Sequence, residues 1–109
     1  MNRYLLEGIR RDLAAGKTIL FVGAIRECAY LHSELRDDAG VARVFNTTGA
    51  LRIEHDSGGV LTYTANGVGA RGRRNVDVLI VTSRVRQSPD FNDLLPALNR
   101  KGELVVADL

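Results

Sequence analysis

The chain has 109 residues, 45% hydrophobic and 26% charged, with a formal net charge of +2; this balance suits one globular domain over residues 1–109 and argues against disorder. No run approaches the ~20 apolar residues of a membrane-spanning helix, and polar Asn2 and Arg3 do not open a signal-peptide core. Cys28 is the single cysteine, which excludes an internal disulfide and fits a reducing compartment, so a cytoplasmic protein is expected.

Asn2 to Ala15 places Leu5, Leu6, Ile9 and Leu13 on one side and Arg3, Glu7, Arg10 and Arg11 largely on the other, the periodicity of a helix. Asn2 suits its N-cap and Gly16 its stop. Thr18 to Gly23, TILFVG, is a β-branched and aromatic run that predicts a central strand buried on both faces. Ala24 to Asp38 returns to helical spacing and ends at Gly40, and Val41 to Phe45 predicts a second strand. Strand, helix and strand in this order make a βαβ unit, whose crossover should be right-handed.

The pattern then changes to alternation. Ala50 to His55 and Val60 to Ala65 each place apolar residues at every second position, and the turn sequence DSGG, Asp56 to Gly59, joins them into an expected antiparallel hairpin. A Gly/Arg loop, Asn66 to Asn75, leads into the apolar run Val76 to Thr82, again the mark of a buried strand. A polar stretch, Ser83 to Asn92, follows. With Asp93 as N-cap, Pro96 falls in the first turn of a helix starting at about Leu94, where its missing N–H is tolerated. Gly102 ends that helix, and Glu103 to Ala107 predicts a last strand.

Four patterns bear on chemistry. The turn VGAIRE, Val22 to Glu27, lacks the glycine spacing of a dinucleotide fingerprint, and Gly16-Lys17-Thr18 closes a helix and opens a strand, the reverse of a phosphate loop. Cys28 and His32, at i and i+4, have the spacing of two metal ligands, but a site needs three or four; one core cysteine and one boundary histidine explain them more simply. Ser33, Ser57, Ser83, His32 and His55 carry no local signature of a catalytic set. The Gly/Arg loop is different. Gly67, Gly69 and Gly72 permit close backbone approach, and Arg71, Arg73 and Arg74, with Arg84 and Arg86 beyond the next strand, supply forked donors for phosphate or carboxylate.

From about Gly16 to Leu109 the order of elements resembles the ATPase core of phage large terminases, the DNA-packaging motors, and more distantly helicase cores. GKTILFVGAIRECAYLHSELRD is similar to the strand and helix that follow that family's nucleotide-binding helix. NTTGALRIEHDSGGVLTYTANGVGARGRRNVDVLIVTS is similar to its hairpin, its glycine-rich loop with an Arg-Gly pair, here Arg71-Gly72, and its Walker B strand, here Val76 to Val81. FNDLLPALNRKGELVVADL is similar to the helix and strand after it. The match does not include the Walker A loop, and Thr82-Ser83 stands where the family has an acidic pair.

The resemblance therefore implies a truncated P-loop-ATPase-like α/β fold in three layers, with a mostly parallel sheet and an antiparallel edge hairpin. It lacks the charges that phosphoryl transfer needs. The expectation is a non-catalytic, phage-type accessory or regulatory protein, with no cofactor and no metal. It would bind a protein partner through Arg71, Gly72, Arg73, Arg74, Arg84 and Arg86, with Thr82 and Ser83 as a degenerate Walker B position. Nucleic-acid binding by the Gly/Arg loop and a split ATPase completed by a partner are the alternatives. An uncovered sheet edge would favour a homodimer.

Overall fold

The computed structural model describes residues 2–47, 49–65 and 73–109. Helix α1, Arg3–Ala14, begins where the Asn2 side chain accepts the Leu5 N–H at 3.1 Å and ends at Gly16, whose φ of +81° favours glycine. It buries Leu5, Leu6, Ile9 and Leu13, the expected stripe. Strand β1, Thr18–Val22, and helix α2, Ile25–Leu35, follow. Strands β2, Val41–Phe45, β3, Arg52–His55, and β4, Val60–Thr64, come next, and then β5, Val76–Val81. A short helix α3, Ser83–Arg86, two 3₁₀ turns, Pro89–Asp93 and Leu95–Ala97, and β6, Leu98–Val106, complete the described chain.

The six strands form one sheet in the order β2-β3-β4-β1-β5-β6. Strands β4, β1, β5 and β6 run parallel, and β3 is antiparallel to both of its neighbours. The fold is thus α/β with a mostly parallel sheet and antiparallel strands at one edge. The β3–β4 hairpin occurs as expected, but β2 lies outside it and forms the edge. Strand β2 also points the same way as β1 without touching it, because β3 and β4 fill the space between them.

Every side chain from Ile19 to Val22 is fully buried, so β1 needs cover on both faces. Ile19 and Phe21 pack with Ile53, Leu61, Tyr63, Val78 and Ile80 under the apolar stripes of α1 and α2. Leu20 and Val22 pack on the opposite face with Leu79, Val81, Val85, Phe91, Leu94 and Ala97. Burying each such side chain contributes about 1.5–3 kcal/mol, so this one strand outweighs any surface ion pair in the molecule, worth about 0–1 kcal/mol. The connection from β1 steps towards β2 on the first face, and that from β5 steps towards β6 on the second. Opposite directions on opposite faces are what one hand of crossover requires.

Among the described residues, three layers are therefore present over β1 and β5, whereas the second core does not extend over β2, β3 and β4. At the amino ends of the central strands, Asp77 accepts the Thr18 N–H at 2.9 Å and the Asn99 amide at 2.6 Å, tying β1, β5 and β6 together.

The segment after β5 departs from expectation. Ser83 to Arg86 is helical, and no α-helix starts at Leu94. Ser88, rather than Asp93, caps the next turn by accepting the Asp90 N–H, with Pro89 at its first position. Phe91, Leu94 and Ala97 are all buried, a spacing of three that puts them on one side of a 3₁₀ path but spreads them around an α-helix. Pro96 removes a donor there, and the chain leaves extended at Leu98, so β6 starts five residues before the expected Glu103. A register shift between Val76 and Val78 absorbs the extra residues.

Gly59 is buried in the turn between β3 and β4, where a side-chain methyl would land on the backbone carbonyl of Leu13 at the end of α1. Ser57 donates its hydroxyl to the same carbonyl. Gly59→Ala should therefore destabilise the chain by about 1–3 kcal/mol, read as a fall in thermal midpoint of at least ~4 °C. Gly8→Ala, in the open middle of α1, should raise the midpoint through its better helix propensity. Equal effects of the two substitutions would contradict the packing of the turn on α1.

Candidate functional site

Register places the polar side chains. Arg52 lies opposite both Phe45 on β2 and Thr62 on β4, and Glu54 lies opposite Arg43 and Val60. Directly opposed residues share a face, so Arg43, Phe45, Arg52, Glu54, Val60, Thr62 and, by alternation, Thr64 stand on the face that the second core, among the described residues, does not cover. Arg73 joins them by donating from Nη1 to the Thr62 hydroxyl at 2.7 Å. Arg52 pairs with Glu54 at 2.7 Å and Arg43 approaches the same carboxylate at 3.9 Å. Two guanidiniums thus approach one carboxylate, with Arg73 held on the same face by Thr62. Burial, and then repulsion from Arg52, push the Arg73 guanidinium below its ordinary pKa, so an arriving anion would be stabilised there.

Of the residues expected to bind, Arg73 is half-buried on this face and Arg74 is exposed beside it. Arg71 and Gly72 lie outside the described residues. Arg84 and Arg86 are exposed on α3, where Arg86 stacks over Phe91 with 4.5 Å to the ring centroid; the structure does not gather them with Arg73. Thr82 is buried and caps α3 by accepting the Val85 N–H. Ser83 gives its N–H and its hydroxyl to the two oxygens of Asp108, at 2.9 and 2.6 Å, and these bonds hold the Asp108 carboxyl below its ordinary pKa. At the start of α2 the Glu27 carboxylate accepts the Ala24 N–H at 2.8 Å. Both helix starts beside the carboxyl ends of β1 and β5, where α/β sheets usually hold phosphate, therefore already carry a carboxylate of the chain itself.

A pocket of about 500 Å³ opens at the carboxyl end of β4, between α2 and the connection from β2 to β3. His32, expected at the boundary, is only 3% exposed on its floor. Its Nδ1 lies 3.2 Å from the Tyr63 hydroxyl and its Nε2 lies 2.8 Å from the Asn46 side-chain oxygen. These partners fit a neutral ring that donates from Nε2 and accepts the Tyr63 proton at Nδ1. The two rings meet edge to face at 5.5 Å. Burial, with a smaller effect of Cys28, pushes the Tyr63 phenol well above its ordinary range. Cys28 turns its thiol towards the carbonyls of Gly23 and Thr64. Histidine and cysteine are thus both engaged within the protein, and the described residues contain no group of three or more His, Cys, Asp or Glu that could hold a metal ion. No described helix is long and apolar enough to cross a membrane.

Sequence reasoning passed over Arg43 and Arg52 because each sits in an ordinary alternating strand. A four-residue turn over Asp56 to Gly59 would have set Arg52 opposite Tyr63, one place from the Thr62 that it meets. The His32–Tyr63–Asn46 contacts join three separate elements and had no local signal. Compared with protein-family models, with curated proteins and with solved structures, the chain has no match.

Burial pushes the Cys28 thiol from 9.0 up to about 11. The folded chain therefore keeps this proton where the unfolded chain has lost it. The stabilisation is complete below about pH 9 and disappears as pH climbs to about 11. Urea unfolding followed over this range should show stability falling with pH, and Cys28→Ser should flatten part of the fall. An unchanged slope in the variant would contradict a buried, protonated thiol.

Proposed function

We propose that the protein is a non-catalytic binding protein that receives an acidic segment of a protein partner on the arginine-bearing face of β2, β3 and β4. The observation that carries this reading is the gathering of Arg43, Arg52 and Arg73 on a sheet face where, among the described residues, Glu54 is the one carboxylate, paired with Arg52 and approached by Arg43. A carboxylate bound there relieves the crowding of like charges and meets planar, forked donors. Arg74, next in the chain, is exposed.

The scaffold in this proposal is that of a packaging-motor ATPase core put to non-catalytic use in a phage-type accessory or regulatory role. The mostly parallel sheet and the order of its elements support it. Ser83, bonded to Asp108, weighs against a split ATPase in which a partner restores phosphoryl transfer at this place.

Nucleic acid is a second reading, favoured by one contact. The Arg43 guanidinium lies over the exposed Phe45 ring, 5.2 Å from its centroid, and aromatic rings beside arginines stack bases.

Fluorescence anisotropy with a labelled glutamate-rich peptide and with a labelled single-stranded oligonucleotide separates the readings. The peptide should bind the full chain, and Arg52→Ala/Arg73→Ala together should weaken it at least about tenfold, about 1.4 kcal/mol. Arg84→Ala/Arg86→Ala should leave it unchanged. Preference for the oligonucleotide, with a steep fall in affinity as salt rises, would establish the second reading instead. Peptide affinity insensitive to Arg52 and Arg73 would remove this face from the account.

A further inference from the structure

The pocket at the end of β4 has a chemistry of its own. Its described lining carries two guanidiniums, Arg36 and Arg73, and no carboxylate. Ile25, Ala29 and Leu51 give it apolar walls, and Ile25, at 65% exposed, leaves a large apolar surface at the rim. The buried Tyr63 and His32 satisfy each other on the floor, so the floor offers ring surface rather than open polar groups. The Asn46 oxygen is taken by His32, which leaves the amide N–H₂ of that carboxamide as the group available to a ligand. The guanidinium of Arg36 and the Asn46 amide both favour an acceptor.

We propose that this pocket binds a small organic carboxylate with a flat apolar body, independently of the acidic protein segment assigned to the sheet face. About 500 Å³ lies within the ~300–1,000 Å³ of small-molecule sites. The flat body fits between the Ile25–Ala29 side of α2 and Leu51, over the edge-to-face rings of His32 and Tyr63. The carboxylate fits Arg36, whose fork matches two oxygens, with the Asn46 amide as a further donor.

Carboxylate is preferred to phosphate for an electrostatic reason. Arg36 is the C-cap residue of α2, where the helix presents carbonyl oxygens and the negative end of its dipole. The opposite end of α2, whose N–H groups would suit a phosphate dianion, is met by the Glu27 carboxylate. Arg36, the guanidinium assigned to the ligand, carries one positive charge at a helix end that disfavours a second negative charge.

The test is a titration of the ¹³C-methyl-labelled full chain with indole-3-acetate, neutral indole-3-acetamide and adenosine monophosphate, followed by NMR. Indole-3-acetate should shift the methyl signals of Ile25, Ala29 and Leu51, and the neutral amide should bind at least about tenfold more weakly. Arg36→Ala, an exposed position, should remove most of the difference between acid and amide while circular dichroism reports an unchanged fold. Ala29→Leu, which fills the pocket from α2, should abolish the shifts. Equal binding of acid and amide, stronger binding of the nucleotide, or shifts confined to residues outside the pocket would each overturn the proposal. If Arg52→Ala/Arg73→Ala abolishes peptide binding while indole-3-acetate still binds, the pocket and the sheet face are separate sites.

Discussion

The burial of β1 on both faces is the constraint on which the rest of the structure depends. Four consecutive side chains, Ile19 to Val22, have no exposed surface, and alternation sends two of them to each side of the sheet. One side is closed by α1 and α2. The other is closed by α3 and the 3₁₀ turns, whose Phe91, Leu94 and Ala97 recur at the spacing of three that a 3₁₀ path aligns. The two flanking strands, β4 and β5, are parallel to β1 and reach it through long connections, as parallel pairing requires.

The same constraint leaves half of the sheet differently dressed. Helix α2 carries the chain from β1 to the far edge, and the antiparallel strands β2, β3 and β4 return step by step to the centre. Their inner face joins the first core through Ile53, Leu61 and Tyr63. Their outer face carries arginine, glutamate and threonine beside Phe45 and Val60, and this is the surface to which partner binding is assigned. The pocket follows from the same geometry, because α2 crosses over strands that end at different heights. Meanwhile the places where an α/β sheet would hold phosphate are met from within, by Glu27 at the start of α2 and Asp108 on Ser83.

Much of this was legible in the residues. The first helix, the buried strands TILFV and VDVLIV, the cap at Asn2 and the stop at Gly16 depend on neighbours a few positions apart, and periodicity reports such features well. The helix placed at Leu94 was wrong for a definable reason. The sequence around Pro96 offers two caps, and only the depth of Phe91, Leu94 and Ala97 against β1 and β5 decides in favour of a 3₁₀ path from Ser88. Arg73 was singled out from its loop, and it reaches the sheet face at Thr62. Arg43 and Arg52 were not singled out, because only strand register across β2, β3 and β4 brings them to the same face. His32 looked like a boundary residue until its partners Tyr63 and Asn46, 31 and 14 positions away, came into contact.

The central claim is that the polar face of β2, β3 and β4 is the working surface of this protein. Hydrogen–deuterium exchange of the full chain, with and without the glutamate-rich peptide, tests it most directly. The account predicts slower exchange in β3, β4 and the residues following Arg73, with α1 and α3 unchanged. Protection confined to α1 or α3, with none on β3 and β4, would contradict it.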